Sequence, residues 1–202
     1  MKILHISDTH GFHEEFRNMP DADVIVHSGD FTFAGSSCEC SEFVSWFCSL
    51  PYRHKVFIAG NHDACMYGAV GISGLPDNVH YLCGTGIAID GLKFYGVPMF
   101  MEECMDGSYD ERIRNIPDDT DILVTHQPPK GMCDLADYGR GPEHRGYAPL
   151  AEKIAGMRLK CHLFGHEHDA YACGTIGGTI YSNAAVLDDK YRIDAEPRLI
   201  TI

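Results

Sequence analysis

Five short apolar runs in this sequence each end in side chains that can hold a metal ion or move a proton. Ile3-Leu4-His5-Ile6 leads into Ser7-Asp8-Thr9-His10, and Val24-Ile25-Val26-His27 into Ser28-Gly29-Asp30. Val56-Phe57-Ile58-Ala59 leads into Gly60-Asn61-His62-Asp63, Ile122-Leu123-Val124-Thr125 into His126, and His162-Leu163-Phe164 into Gly165-His166-Glu167-His168. The donors gathered this way are Asp8, His10, Asp30, Asn61, His62, His126, His166 and His168. Imidazoles, carboxylates and one amide, without a thiolate, suit Mn, Fe or Zn better than a cysteine-type structural zinc site does. So many donors exceed the needs of one ion; shared between two, with one carboxylate bridging, they supply about four each and leave room for water. Taken singly, the same residues are ordinary. A strand-end histidine is commonly a hydrogen-bonded structural residue, the expectation for His5, His27, His80 and His162, and a lone aspartate can cap a turn or helix. Repetition in order gives the set its chemical weight.

Runs of β-branched, aliphatic and aromatic residues without alternation fit strands covered on both faces. Ligands of open α/β sheets collect at the carboxyl edge of the strands, so these strand ends are expected to converge. Between them lie helix candidates. One is capped by Ser41 and runs to about Ser49, where Pro51 stops it; others cover 12–19, 109–115 and 149–157, the last with Pro149 in its first turn. From Gly86 onward hairpins take over. Ile87–Ile89 and Leu92–Tyr95 flank Asp90-Gly91, a pair suited to a type I′ turn. Thr175-Ile176 and Thr179–Tyr181 flank Gly177-Gly178, and 198–202 reads as a last strand. Strands alternating with helices, then hairpins, give an α/β fold of two packed mixed β-sheets flanked by helices. With no linker, repeat or low-complexity tract, residues 1–202 read as a single domain.

Hydrophobic residues make up 45% and charged residues 22%, which excludes disordered and fibrous classes. Sixteen Lys and Arg against 29 Asp and Glu give a formal net charge of −13. That balance argues against a stable nucleic-acid partner or an anionic membrane, because phosphate affinity usually comes from clustered positive charge. An acidic chain can still act on phosphates if metal ions bring the cations. No apolar run is long enough for a transmembrane helix. The nine cysteines form no CxxC pair, and no secretory h-region follows Met1-Lys2. The thiols are therefore expected to be reduced, small hydrophobes in a cytoplasmic protein, with a Cys38–Cys40 redox pair as the alternative.

The series Asp8-x-His10, Gly29-Asp30, Gly60-Asn61-His62-Asp63, a lone His126 after a strand, and Gly165-His166-x-His168 resembles the ordered motifs of the calcineurin-like metallophosphoesterase superfamily. Within it, the stretches 6–11 (ISDTHG), 29–32 (GDFT), 58–62 (IAGNH), 125–131 (THQPPKG) and 182–184 (SNA) are similar to small metallophosphoesterase-domain proteins that hydrolyse cyclic nucleotides. The resemblance implies a four-layer α/β/β/α sandwich and two divalent metal ions, with Mn favoured over Fe and Zn. It puts one ion on Asp8, His10, Asp30 and His168 and the other on Asp30, Asn61, His126 and His166, with Asp30 bridging. His62 is left off the metals as the general acid for the leaving group, and Asp63 is expected to orient it through a hydrogen bond. The implied activity is a phosphodiesterase on cyclic nucleotides or other small diesters, working by attack of a metal-bridging hydroxide. Two divalent ions, two carboxylates and a hydroxide leave a residual charge of about +1, which can hold a phosphate on an acidic protein. Paired ions also activate water and clamp the displaced oxygens, and an imidazole titrates near neutral pH.

The superfamily's signalling phosphatases follow Gly-Asp with Asp-Arg-Gly. Here Phe31-Thr32-Phe33-Ala34-Gly35 stands in that place without an arginine, which argues against a phosphoprotein substrate. A chain of 202 residues also lacks room for the capping and dimerisation segments of the family's DNA-repair nucleases. Phe31 and Phe33 are expected to stack on a base, with core packing as the alternative. Segment 131–147, with Arg140, His144 and Arg145, and Lys130 just before it, is expected to form the substrate rim, and 96–100 the opposite wall. The expected partner is thus a small phosphorylated substrate, a nucleotide first of all; a homodimer is compatible with the sequence but not required. Two rivals stand: a phosphomonoesterase of the same fold, and a metal-binding scaffold without turnover.

Overall fold

The computed structural model describes residues 1–139 and 141–202. Its first sheet holds β1 (Lys2–Ile6), β2 (Val24–His27), β3 (His54–Phe57) and β4 (Val79–Tyr81), all parallel. A strand from the other end of the chain, β13 (Arg198–Thr201), pairs antiparallel with β1. The second sheet contains β5 (Thr85–Ile89), β6 (Leu92–Val97), β7 (Ile122–Thr125), β10 (Cys161–Phe164), β11 (Ala172–Ile176) and β12 (Thr179–Asn183), ordered β11-β12-β10-β7-β6-β5. Its four central strands are parallel, and the hairpin partners β5 and β11 close its edges. A short ribbon, β8 (Leu135–Ala136) with β9 (Glu143–His144), interrupts the path from β7 to β10.

Strand side chains alternate between two cores, which is why the runs look continuously apolar. Ile3, Val24, Val26, Val56 and Ile58 meet Ile122, Val124, Cys161 and Leu163 between the sheets. Leu4, Ile25 and Phe57 face the other way, onto Phe43 and Phe47 of α1 (Ser37–Ser49). On the far side Leu123 and Phe164 pack on Tyr109 and Ile113 of α3 (Ser108–Arg114) and on Leu150 and Ile154 of α4 (Ala148–Ile154). The layers therefore run helix, sheet, sheet, helix, as expected. Burial of each such side chain contributes roughly 1.5–3 kcal/mol.

Several local expectations are corrected. The first helix begins five residues early, because Ser36 and Glu39 form a capping box: Glu39 N–H donates to Ser36 Oγ (3.2 Å) and Ser36 N–H to the Glu39 carboxylate (3.0 Å). Ser41 lies inside the helix and donates to the Ser37 carbonyl. The helix expected over 12–19 shrinks to one 3₁₀ turn at His13–Glu15, with Pro20 disfavouring helical geometry at Met19. The helix expected over 149–157 stops at Ile154. Residues 96–100 are buried core, not a cavity wall, and a short α2 (Met101–Asp106) follows them. Both hairpin turns have positive φ at each central residue, 49° and 81° at Asp90-Gly91 and 60° and 90° at Gly177-Gly178. Among the described residues all nine cysteines are free, and no helix is long and apolar enough to cross a membrane.

Candidate metal centre

The strand ends are stitched together by backbone before any side chain is considered. Asp8 N–H donates to the Gly29 carbonyl and His10 N–H to the Asp30 carbonyl, both at 3.0 Å, so the loop after β1 lies along the loop after β2. Between sheets, Ser7 N–H donates to Ala184 (2.9 Å) and Val186 N–H to Ser7 (3.1 Å), and within the second sheet Gly165 N–H, after β10, donates to His126 (3.0 Å), after β7. Asp8, His10, Asp30 and His166 have φ of 57°, 40°, 55° and 70°. Asp and His enter this left-handed region more readily than most residues, and it turns each side chain back over the sheet edge. Two motif glycines are fixed by close approach. A Cβ at Gly60 would lie 2.2 Å from Asp30 Oδ1, and one at Gly165 would lie 1.9 Å from Asp8 Oδ2.

Ligand atoms of Asp8, His10 and His168 lie within 4.8 Å of one another, as do those of Asp30, His126 and His166, and those of His10, Asp30 and His62. Asp30 joins the groups. Its Oδ1 accepts from His62 N–H (2.7 Å), while its Oδ2 faces His126 Nε2 at 3.3 Å and His10 Nε2 at 3.8 Å. Asp8 accepts from His166 N–H through both oxygens, and its Oδ1 lies 3.5 Å from His168 Nε2. Asn61 Oδ1 stands 3.0 Å from His126 Nε2.

Main-chain carbonyls fix the tautomers. His10, His126 and His168 direct Nδ1 at the carbonyls of Thr32 (3.1 Å), Ser28 (2.9 Å) and Asp188 (2.9 Å). A carbonyl only accepts, so each Nδ1 carries its hydrogen and each Nε2 is left to face the cluster. His10 Nε2 is buried with no hydrogen-bond partner among the described residues. Converging oxygen and imidazole lone pairs, an orphaned buried nitrogen and no thiolate fit divalent metal ions.

Electrostatics agree. Burial works against a charged His126, yet the Asp30 carboxylate overrides it and holds the ring up at about 10. His168 is likewise raised to about 9, burial being outweighed by its hydrogen bond to Asp8. Asp30 sits low, at about 2, because His126 outweighs the burial penalty. His166, with burial dominant and the charge of His126 adding to it, drops to about 4. The potential that draws protons onto buried His126 and half-buried His168 is the potential a cation would exploit.

His62 donates Nδ1–H to the Phe33 carbonyl (2.9 Å). The expected Asp63–His62 side-chain bond is absent among the described residues. Asp63 is fully buried and accepts instead from the N–H groups of Asp30 (2.9 Å), Gly60 (2.8 Å) and Thr32 (2.9 Å) and from the Thr32 hydroxyl (2.8 Å). It organises the loops that carry Asp30 and His62. Phe31 is core, stacked on Phe43 at 4.2 Å, whereas Phe33 is 52% exposed beside the site.

A cavity of about 290 Å³ is lined by Asp30, Asn61, His62, Tyr138, His166, His168, Asp189 and Tyr191. A larger one of about 600 Å³ shares His168, but its carboxylates, Asp137, Asp169, Asp188, Asp194 and Glu196, make it unfavourable to phosphate. Segment 131–147 reaches the smaller cavity through Tyr138, which donates to Glu167 and carries the Arg145 guanidinium 4.6 Å over its ring. His144, Arg145 and Lys130 do not line it, and Arg140 lies outside the described residues. Buried Asp134 pins the segment by accepting from Gly131, Gly146 and His144. Sequence reasoning missed Tyr138, Tyr191 and the Asp188 carbonyl. No local pattern marks them; they arrive through tertiary contact.

A family model for calcineurin-like phosphoesterases matches residues 1–170. The chain belongs to that family. As a calcineurin-like phosphoesterase it is a metal-dependent phosphoesterase, and its Asp and His clusters are the groups that could bind the metal. It is 34% identical over 230 residues to the Caenorhabditis elegans UPF0046 protein C25E10.12, covering 100% of this chain and 81% of that one. It is 29% identical over 234 residues to human metallophosphoesterase domain-containing protein 1, covering 100% of this chain and 71% of that one. The fold resembles the crystal structure of TT1561 of Thermus thermophilus, with a TM-score of 0.65 at 15% identity and 96% of each chain covered.

Proposed function

We propose that this calcineurin-like phosphoesterase is a dinuclear phosphodiesterase acting on small diesters, with cyclic nucleotides as the leading substrate class. The observation that carries the reading is Asp30 Oδ2, which faces His126 Nε2 and His10 Nε2 from two otherwise separate donor groups. Asp8, His10, Asp30 and His168 would hold one ion, and Asp30, Asn61, His126 and His166 the other, with Mn favoured. When bound, such ions supply an activated water and neutralise charge on the phosphoryl oxygens.

The chain's own groups do the rest. The carbonyls of Thr32, Ser28 and Asp188 hold the imidazoles in one tautomer. With Nδ1–H bound to the Phe33 carbonyl, His62 is free to carry a second proton on Nε2 and give it to the leaving oxygen. Asp63 keeps that turn in place from beneath. The test is metal content, with hydrolysis of a chromogenic diester, a chromogenic monoester and 2′,3′- and 3′,5′-cyclic nucleotides. About two Mn equivalents per chain and diester turnover are expected, with His62→Asn keeping its metal and losing roughly 10²–10⁴-fold in rate. A single equivalent, or turnover of the monoester alone, sinks the reading.

A further inference from the structure

Tyr191 is a bulky residue in an unusual conformation at a telling place. Its φ of 57° lies in the left-handed region, where a tyrosine is an outlier. Such a backbone persists only when its surroundings over-determine it, and such sites cluster where substrates are held. Here the determinant is Asp188. Its carboxylate accepts from the N–H groups of Lys190 and Arg192, both at 2.9 Å, and its carbonyl accepts from Tyr191 N–H (3.0 Å). The same carbonyl fixes His168. One residue thus orients a candidate ligand and the turn that carries Tyr191.

The Tyr191 ring lies 4.9 Å from His10, 5.7 Å from His168, 6.3 Å from His62 and 5.2 Å from Phe33. It lines the smaller cavity. Phe33 is half exposed and takes no part in the core that Phe31 and Phe43 fill under the same sheet. Its carbonyl nevertheless holds the His62 ring. The Tyr191 ring therefore stands beside the group assigned as proton donor, with the Phe33 ring against its other neighbours. A leaving oxygen within hydrogen-bond reach of that donor would bring the carbon group it bears towards the Tyr191 ring, which lines the same cavity.

We propose that Tyr191, with Phe33, determines specificity by forming an aromatic platform for a planar leaving group departing past His62. The proposal rests on the phosphoesterase reading above. Planar rings gain from offset or edge contacts with such a platform, whereas small alkyl groups do not.

The test is calorimetric binding of phenylphosphonate and methylphosphonate to the Mn-loaded full chain. Wild type should prefer the phenyl ligand by about tenfold. Tyr191→Ala should cut that preference to less than about threefold, Phe33→Ala should lower it as well, and Tyr191→Phe should keep it. Tyr191→Gly, which the left-handed turn accepts without strain, replaces the alanine variant should that one fail to fold. No preference in wild type, or a preference that survives both Tyr191→Gly and Phe33→Ala, overturns the proposal. So does weaker Mn binding in Tyr191→Gly with an unchanged phenyl-to-methyl ratio, which is the mark of a merely structural cover. A ligand preference without hydrolysis of any ester would instead sink the phosphodiesterase reading and leave the platform standing.

Discussion

His126 Nε2 and Asn61 Oδ1 face one another at 3.0 Å, and the histidine's other nitrogen is committed to the Ser28 carbonyl. Two lone pairs cannot share that gap without a proton or a cation between them, so single atoms decide what this site can hold. The same atomic scale governs the motif glycines. At Gly165 a methyl group would land 1.9 Å from Asp8 Oδ2 and 2.2 Å from Ser7 Oγ, so either the carboxylate or the turn must move. Gly165→Ala is expected to weaken Mn binding about 10–100-fold, the range seen when ligand-supporting groups are disturbed. Gly156→Ala is the control, because nothing lies within 4 Å of its added Cβ. Titration calorimetry at matched helix and strand content by circular dichroism checks the pair. Equal Mn affinities would mean that Asp8 is not held where its geometry matters.

Helix α1 is the element that seats the loop after β2, since Phe43 is fully buried against Phe31, the residue next to Asp30. Phe43→Ala should cost about 3–5 kcal/mol in urea unfolding, as truncation of a buried aromatic typically does. Truncating half-exposed Phe12 should stay within about 0.5 kcal/mol. A small effect at Phe43 would mean that the α1 layer is not part of the cooperative core. Elements of this kind divide into those legible in the sequence and those that were not. The strands were readable because burial on both faces leaves unbroken apolar runs, and the hairpins because Asp90-Gly91 and Gly177-Gly178 admit few other conformations. Helix starts were less so: Ser36 and Ser41 both offer caps, and only the reciprocal bond to Glu39 separates them. The donor set was visible as residue types, but its control was not, because Thr32, Ser28, Phe33 and Asp188 act through carbonyls that every residue possesses. Tyr191 lies in a stretch with no periodicity, so its place beside His10 was invisible until the chain's last loop returned to the first.

Acid stability belongs to the whole molecule, because three neutral histidines are buried in different places. His5 sits between the sheets, bonded to Ser28 and Ser182; His27 lies under α1; His162 packs against Phe164 and Tyr181. Burial is the main cause that lowers each of them to about 3, with Arg198 adding to the effect at His5. The folded chain therefore keeps these rings neutral, while the unfolded chain takes up protons below about pH 6.5. The unfolded state binds more protons in that window, so their contribution is complete above pH 6.5 and is lost as pH falls towards 3. Each histidine can contribute up to about 1.4 kcal/mol per pH unit, so several kcal/mol should disappear between pH 6.5 and 5, before most carboxylates titrate. His162 is the ring to remove: Nε2 meets the Thr125 hydroxyl at 2.9 Å, and buried Nδ1 has no partner among the described residues. His162→Gln can keep the Thr125 contact without the titrating group, and should reduce the slope of stability against pH over that window by the share of one ring, up to about 1.4 kcal/mol per pH unit, read from urea midpoints. An unchanged slope would place the acid sensitivity elsewhere and remove His162 from the groups that set it.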